Sequence, residues 1–336
     1  MKSQVIEISP KTIFITIAII FGLFVAWQIK GILLSLVIAY ILMSGFAPLV
    51  DWFEKEGVNK TVAVLATFIL IISVLGLLIF AVIPPLIVQT RELILSLPQY
   101  IDNLDRFVQT KNGLPNITID DITQFLTQRI DKALTNVLSV ILNVFTGFLT
   151  FITVAVFSFY LLLERDKIKQ NLFIFFPHLS KERVYRLGHK IEEKLGAWLR
   201  GQVTLMLLVG AATWLGLTIL GIKYALPLAV VAGILEIVPI IGPIISAVPA
   251  IIIAFVQNPV LVIAVIILYV VVQQVENYLL VPKVMERAVG LSPLIIIFAL
   301  LVGGSLLGII GALLAVPVTA IIQVILEDFH DHPTKS

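Results

Sequence analysis

No cysteine occurs anywhere in the 336 residues. Disulfides, thiolate nucleophiles and cysteine-bound metals are therefore excluded. Charge is scarce: Asp, Glu, Lys and Arg make up 13%, against the ~25% usual in soluble domains. The net charge of +2 leaves no basic surface for nucleic acid. All four histidines (His178, His189, His330 and His332) lie outside the long apolar runs. That rules out a histidine-based intramembrane protease or histidine metal centre. No Gly-x4-Gly-Lys-Ser/Thr phosphate loop is present either. With no nucleophile–base set inside the apolar runs, an enzyme is the least favoured class, and no metal or cofactor is expected.

What the sequence has in excess is hydrocarbon. Hydrophobic residues make up 59%, and the mean hydropathy is +1.08. Both describe a polytopic membrane protein, since a spanning helix needs ~20 mostly apolar residues. Eight apolar blocks fit that rule: 12–29, 32–50, 61–88, 137–163, 202–222, 225–257, 259–281 and 291–326. The predicted fold is an all-α membrane helical bundle with the lipid bilayer as its solvent. The first block is no cleaved signal, because it lacks a small-residue cleavage site and another span follows at once.

Charge between the blocks sets the topology. Residues 164–200 hold nine Lys/Arg against five acids, and 89–136 hold five against six. Basic loops stay cytoplasmic, so 164–200 is placed inside and 89–136 outside, with both termini inside a cell membrane. The chain divides into helices 1–88, an outer amphipathic region 89–136, a span 137–163, a basic cytoplasmic or interfacial region 164–200, a core 201–327 and a tail 328–336. Val184, Leu187, Ile191, Leu195 and Trp198 give 181–200 an apolar face. That face lies either on anionic lipid or on the rest of the protein. Outside, 89–110 is amphipathic, and Thr118 with Asp121 resembles a capping box for a second outer helix.

Two blocks are too long for one crossing, and both are interrupted. The first carries Pro239, Gly242 and Pro243; the second carries Gly303, Gly304, Gly308 and Gly311. Proline removes a helix donor and glycine costs ~1 kcal/mol inside a helix. Gly242-Pro-Ile-Ile-Ser-Ala-Val-Pro249 also compares with Gly311-Ala-Leu-Leu-Ala-Val-Pro317. Two re-entrant hairpins in the C-terminal half, entering from opposite faces around the spanning helix 259–281, are favoured over full crossings. Such paired breaks point to a transporter site. Backbone at each break is expected to be unpaired and therefore to face a polar cavity.

Charged groups inside spans cost ~2.5–3.5 kcal/mol on insertion scales and mark ion or substrate paths. Glu236 stands just before the first break. Glu276 stands near the end of 259–281, with Asn277 beside it and Gln273 on the same helical face. Glu236 is the leading candidate for a proton or cation carrier, with Glu276, Asn277 and Gln273 in support. The alternative for Glu236 is a helix cap, and for Glu276 an interfacial position. Ser246, Thr319 and Gln323 either line a polar path or bond to their own helices.

From residue 10 to 327, and most specifically from Leu226 onward, the sequence resembles a known family. Glu236-Ile-Val-Pro239-Ile-Ile-Gly242-Pro243 matches one signature, and Val275-Glu276-Asn277-Tyr278-Leu279-Leu280-Val281-Pro282-Lys283-Val284-Met285 another. Leu291-Ser-Pro293, Gly303-Gly304, Gly308, Gly311 and Ala315-Val316-Pro317 complete the pattern. This is similar to the autoinducer-2 exporter family of PerM-like permeases. The resemblance implies a multi-spanning transporter, a homo-oligomer and specifically a pentamer. It also implies export of a small polar solute (autoinducer-2-like, in quorum sensing) or sodium/lithium exchange for protons. A passive channel and a non-transporting structural or signalling protein built on 164–200 stand as alternatives.

Overall fold

The computed structural model describes residues 10–77, 137–171, 179–239, 241–285 and 290–331, with single positions 80, 84, 88 and 174. The outer region 89–136, with its amphipathic helix and Thr118–Asp121 box, lies outside the described residues. Described residues form helices and no strand: α1 Pro10–Gln28, α2 Lys30–Lys55, α3 Lys60–Leu77, α4 Val137–Leu163, α5 Arg165–Asn171, α6 Lys181–Ile219, α7 Ala225–Leu235, α8 Ile241–Gln257, α9 Pro259–Val284 and α10 Pro293–Asp331. Five of them (α2, α3, α6, α9 and α10) are long and apolar enough to cross a membrane. The chain is an all-α, multi-pass membrane bundle.

Local chemistry explains several helix ends. Ser180 accepts from the Arg183 amide at 3.3 Å and so starts α6. Asn258 accepts from the Val260 amide at 3.0 Å, with Pro259 at the first helical position of α9. Inside α9, Glu276–Leu280 widens into a π turn. Pro282 has no amide hydrogen to give, which disturbs the preceding hydrogen-bond ladder.

One boundary drawn from sequence has no counterpart in the helices. α6 runs unbroken for 39 residues, so the basic segment and the following apolar block are one helix. The apolar face of its first half packs on protein. Leu195 and Trp198 are buried with Ile41 of α2 and Leu314 and Val316 of α10. α10 also continues past Leu326 to Asp331. Arg183 ties it down there: Nε donates to Asp328 Oδ2 at 2.7 Å and Nη2 to the Asp328 carbonyl at 3.0 Å.

A buried charge cluster joins α2, α5 and α6. Arg165 pairs with Asp51 at 2.9 Å and approaches Glu192 at 3.4 Å, while Lys169 pairs with Glu192 at 2.5 Å. Nearer the surface, Lys60 pairs with Asp166. The hydrogen bond from Lys60 holds the Asp166 carboxyl below its ordinary range.

Both long blocks turn back on themselves. α7 ends at Glu236, and α8 begins at Ile241. The two arms meet so closely that a β-carbon on Gly242 would overlap the Leu235 carbonyl. At the open end, Gln257 Nε2 donates to the Gly221 carbonyl at 2.8 Å, and its Oε1 accepts from the Lys223 amide at 3.1 Å. The ends of the first hairpin are therefore side by side.

α10 turns at Gly308, whose φ of 62° and ψ of −141° lie outside helical space and suit glycine alone. Gly303 and Gly311 then pack backbone on backbone. In a straight helix these positions would lie ~12 Å apart. At the open end of this second hairpin, Gln323 Nε2 reaches the Gly290 carbonyl at 3.4 Å. Helix α9, 26 residues and so ~39 Å long, separates the two open ends. The hairpins accordingly enter the bundle from opposite ends of α9.

Candidate functional site

The tip of the first hairpin carries a carboxyl into the interior. Glu236 is 1% exposed and Glu276 is 5% exposed. Their side chains border the same cavity. Glu276 opens the π turn and is buried, while Asn277 next to it is exposed. Gln273 Nε2 donates to Glu276 Oε2 at 3.1 Å, so one carboxylate oxygen is held by the preceding turn. Glu236 Oε2 is buried and has no hydrogen-bond partner among the described residues.

Both carboxyls line a cavity of about 350 Å³. α6 contributes Trp198, Gln202 and Leu205, and the break contributes Pro239. Val281, Pro282 and Met285 come from the end of α9 and just beyond it. Gly290, Leu291, Ile296 and Val316 come from the second hairpin and its approach. The tip of one hairpin thus meets the open end of the other.

The expectation of unpaired backbone at the first break is not met by its described amides. Ile237 and Val238 donate to the carbonyls of Ile234 and Leu235 at 3.2 and 3.0 Å. Ile241 and Gly242 donate to those of Pro239 and Val238 at 2.8 and 2.9 Å. Gln202 Nε2 donates to the Glu236 carbonyl at 2.8 Å. Short turns and one glutamine satisfy the chain, so the unpartnered polar atom is a carboxyl oxygen instead.

Other sequence candidates fall away from the cavity. Ser246 donates to the Pro243 carbonyl at 2.9 Å and Thr319 to that of Ala315 at 2.7 Å, so both bond within their own helices. Gln323 accepts from Lys194 at 2.9 Å and donates to Glu327 at 2.7 Å. Gly304 is helical with open space beside it. Sequence reasoning does not single out Gln202, and it names Trp198 only on the apolar face of 181–200 and Met285 only within a family signature. Gln202 had one available signal, as a side-chain amide at the start of an apolar run.

Comparison with known proteins supplies the remaining evidence. A family model described as "AI-2E family transporter" matches residues 13–331. The chain is 29% identical over 337 residues to "Putative transport protein YrrI" of Bacillus subtilis (strain 168), covering 94% of this chain and 93% of the relative. It is 31% identical over 308 residues to "Putative transport protein YueF" of the same organism, covering 88% and 83%. It is 25% identical over 337 residues to "Putative permease PerM" of Escherichia coli (strain K12), covering 96% and 94%.

Proposed function

Because this chain belongs to the AI-2E transporter family, we propose that it is a secondary transporter coupled through the Glu236–Glu276 pair. One observation carries the reading. Two buried carboxyls adjoin on a cavity, and among the described residues neither has a Lys, Arg or His ion-pair partner. Removing each negative charge from water costs several kcal/mol, and side by side they repel. The pair is neutralised by holding a proton or a cation between its oxygens.

A site of this kind couples two fluxes when the same carboxyls exchange one occupant for another. Gln273 keeps one oxygen of Glu276 oriented, while Glu236 Oε2 stays open to the occupant. Pro239, Gly242 and Pro243 hold the first turn-back, and Gly303, Gly308 and Gly311 hold the second. The proposed cargo is a small polar solute carried outward, autoinducer-2-like as the family description suggests, or sodium or lithium exchanged for protons. The basic end of α6 and both termini face the cytoplasm of the cell membrane, and the chain assembles as a homo-oligomer, the pentamer being the form implied by the family resemblance.

The test uses purified protein in proteoliposomes that enclose a pH-sensitive dye. Pulses of sodium, lithium and a panel of small solutes should move protons in the wild type. Glu236→Gln should abolish that movement while eluting normally on gel filtration. Wild-type proton movement in the variant removes Glu236 from the mechanism.

A further inference from the structure

The cavity is acidic at one place and hydrocarbon nearly everywhere else. Its polar side chains are Glu236, Glu276 and Gln202, and one amide hydrogen of Gln202 is committed to the Glu236 carbonyl. Facing them are Trp198, Leu205, Val281, Met285, Ile296 and Val316. Glu236 lines this cavity, and its buried Oε2 has no hydrogen-bond donor among the described residues.

We propose that the cavity takes a small amphipathic organic cation, a protonated amine carrying an apolar body, with the ammonium on the two carboxyls and the body against Trp198 and Met285. The proposal rests on reading the Glu236–Glu276 pair as the transport site, and it places an organic amine there instead of the autoinducer-2-like solute or alkali-metal ion that the family description suggests.

Three observations favour this class over its competitors. A polyol brings several hydroxyls, each of which needs a partner when buried, and beyond the two carboxyls, Gln202 and the Trp198 indole N–H these walls offer hydrocarbon and a thioether. A divalent hard ion, calcium or magnesium, takes six or more oxygen ligands. No group of three acidic or histidine side chains able to hold one exists among the described residues. An alkylammonium uses both features of the cavity. Its N–H groups donate to carboxylate oxygens, aromatic faces attract cations, and methionine adapts to irregular apolar surfaces. The volume of about 350 Å³ sits at the lower end of the ~300–1,000 Å³ range of ligand pockets, which suits a single ring or a short chain.

Equilibrium dialysis of radiolabelled phenethylamine against the full-length protein in detergent tests the proposal at neutral pH. Binding should saturate and weaken at least tenfold in Glu236→Gln. Phenethyl alcohol, ribose and sodium chloride in hundredfold excess should not displace it. Trp198→Leu should weaken it severalfold. If Glu236→Gln does not fold, Glu276→Gln is read by the same criterion. Displacement by the neutral alcohol, or binding indifferent to both glutamates, overturns the proposal. Failure of phenethylamine to bind, while sodium or ribose still drives Glu236-dependent proton movement in vesicles, refutes the amine and leaves the transport reading standing. Failure of every solute to move protons removes the transport reading itself.

Discussion

The Gln202 side chain donates to the main-chain carbonyl of Glu236 across 2.8 Å. A residue of α6 thereby holds the last turn of the first hairpin just where the helix stops. Replacing Gln202 by leucine leaves that buried carbonyl unpaired, at a cost of ~1–3 kcal/mol. The unfolding temperature in detergent should drop by several degrees, and proton movement in vesicles should fall with it. An unchanged unfolding temperature would show that the bond contributes nothing.

The clasp formed by Gln257 makes a topological prediction. Lys223 and Asn258 flank the open end of the first hairpin, and Gly290 flanks that of the second. Single cysteines placed at these positions meet no competing thiol, because the chain has none. A membrane-impermeant maleimide should label 223 and 258 from one side and 290 from the other. Labelling of 223 and 258 from opposite sides would contradict the hairpin.

Gly311 and Gly304 should respond oppositely to alanine. A methyl group on Gly311 would overlap the Gly303 carbonyl, whereas Gly304 has open space beside it. Overpacking of this kind costs ~1–3 kcal/mol. Gly311→Ala should lower the unfolding temperature and Gly304→Ala should leave it in place. Equal effects in the two variants would mean that the backbone contact is not what closes the second hairpin.

Glu192 should matter more to folding than its place among basic residues suggests. It is buried between Lys169 and Arg165, and removing one partner from a buried pair costs ~3–5 kcal/mol. Glu192→Gln should sharply reduce the yield of monodisperse protein. Adding Lys169→Met should recover much of the loss, since the stranded ammonium disappears. A double variant no better than the single one would argue against the pairing.

The Lys60–Asp166 pair is a surface contact with a pH signature. Its bond holds the aspartate below its ordinary range, so its stabilisation is present above the unfolded value of ~3.9. It is lost as pH falls through the depressed folded value. Solvent screening keeps the pair below ~1 kcal/mol. Asp166→Asn should therefore be slightly less stable at neutral pH, and the gap should close in strong acid. A gap that widens on acidification would reverse the assignment.

What was readable from sequence follows from what each residue can do alone. Proline and glycine act on their own backbone, so Pro239, Gly242 and Gly308 announce the breaks without any partner. A carboxyl in hydrocarbon is equally conspicuous, and Glu236 and Glu276 stand out for that reason. Their adjacency is not readable, because it depends on how deeply the first hairpin reaches along α9 and on the π turn before Pro282. The roles of Gln202, Trp198 and Met285 are hidden for a related reason: each is ordinary in its own segment and acquires a role only where several segments converge. The tie between Arg183 and Asp328 is likewise invisible to helix periodicity, which is why a helical end reads as a tail.

One unbroken helix ties the Arg183–Asp328 contact mechanically to the acid pair. α6 spans 39 residues, ~58 Å at 1.5 Å per residue, nearly twice the ~30 Å of bilayer hydrocarbon. Its outer half is gripped by Asp328 and Lys169, while Gln202 near its midpoint grips the hairpin carrying Glu236. No joint lies between these grips to absorb a tilt. A force applied to the N-terminal end of α6 is therefore felt at the cavity that Glu236 and Glu276 line.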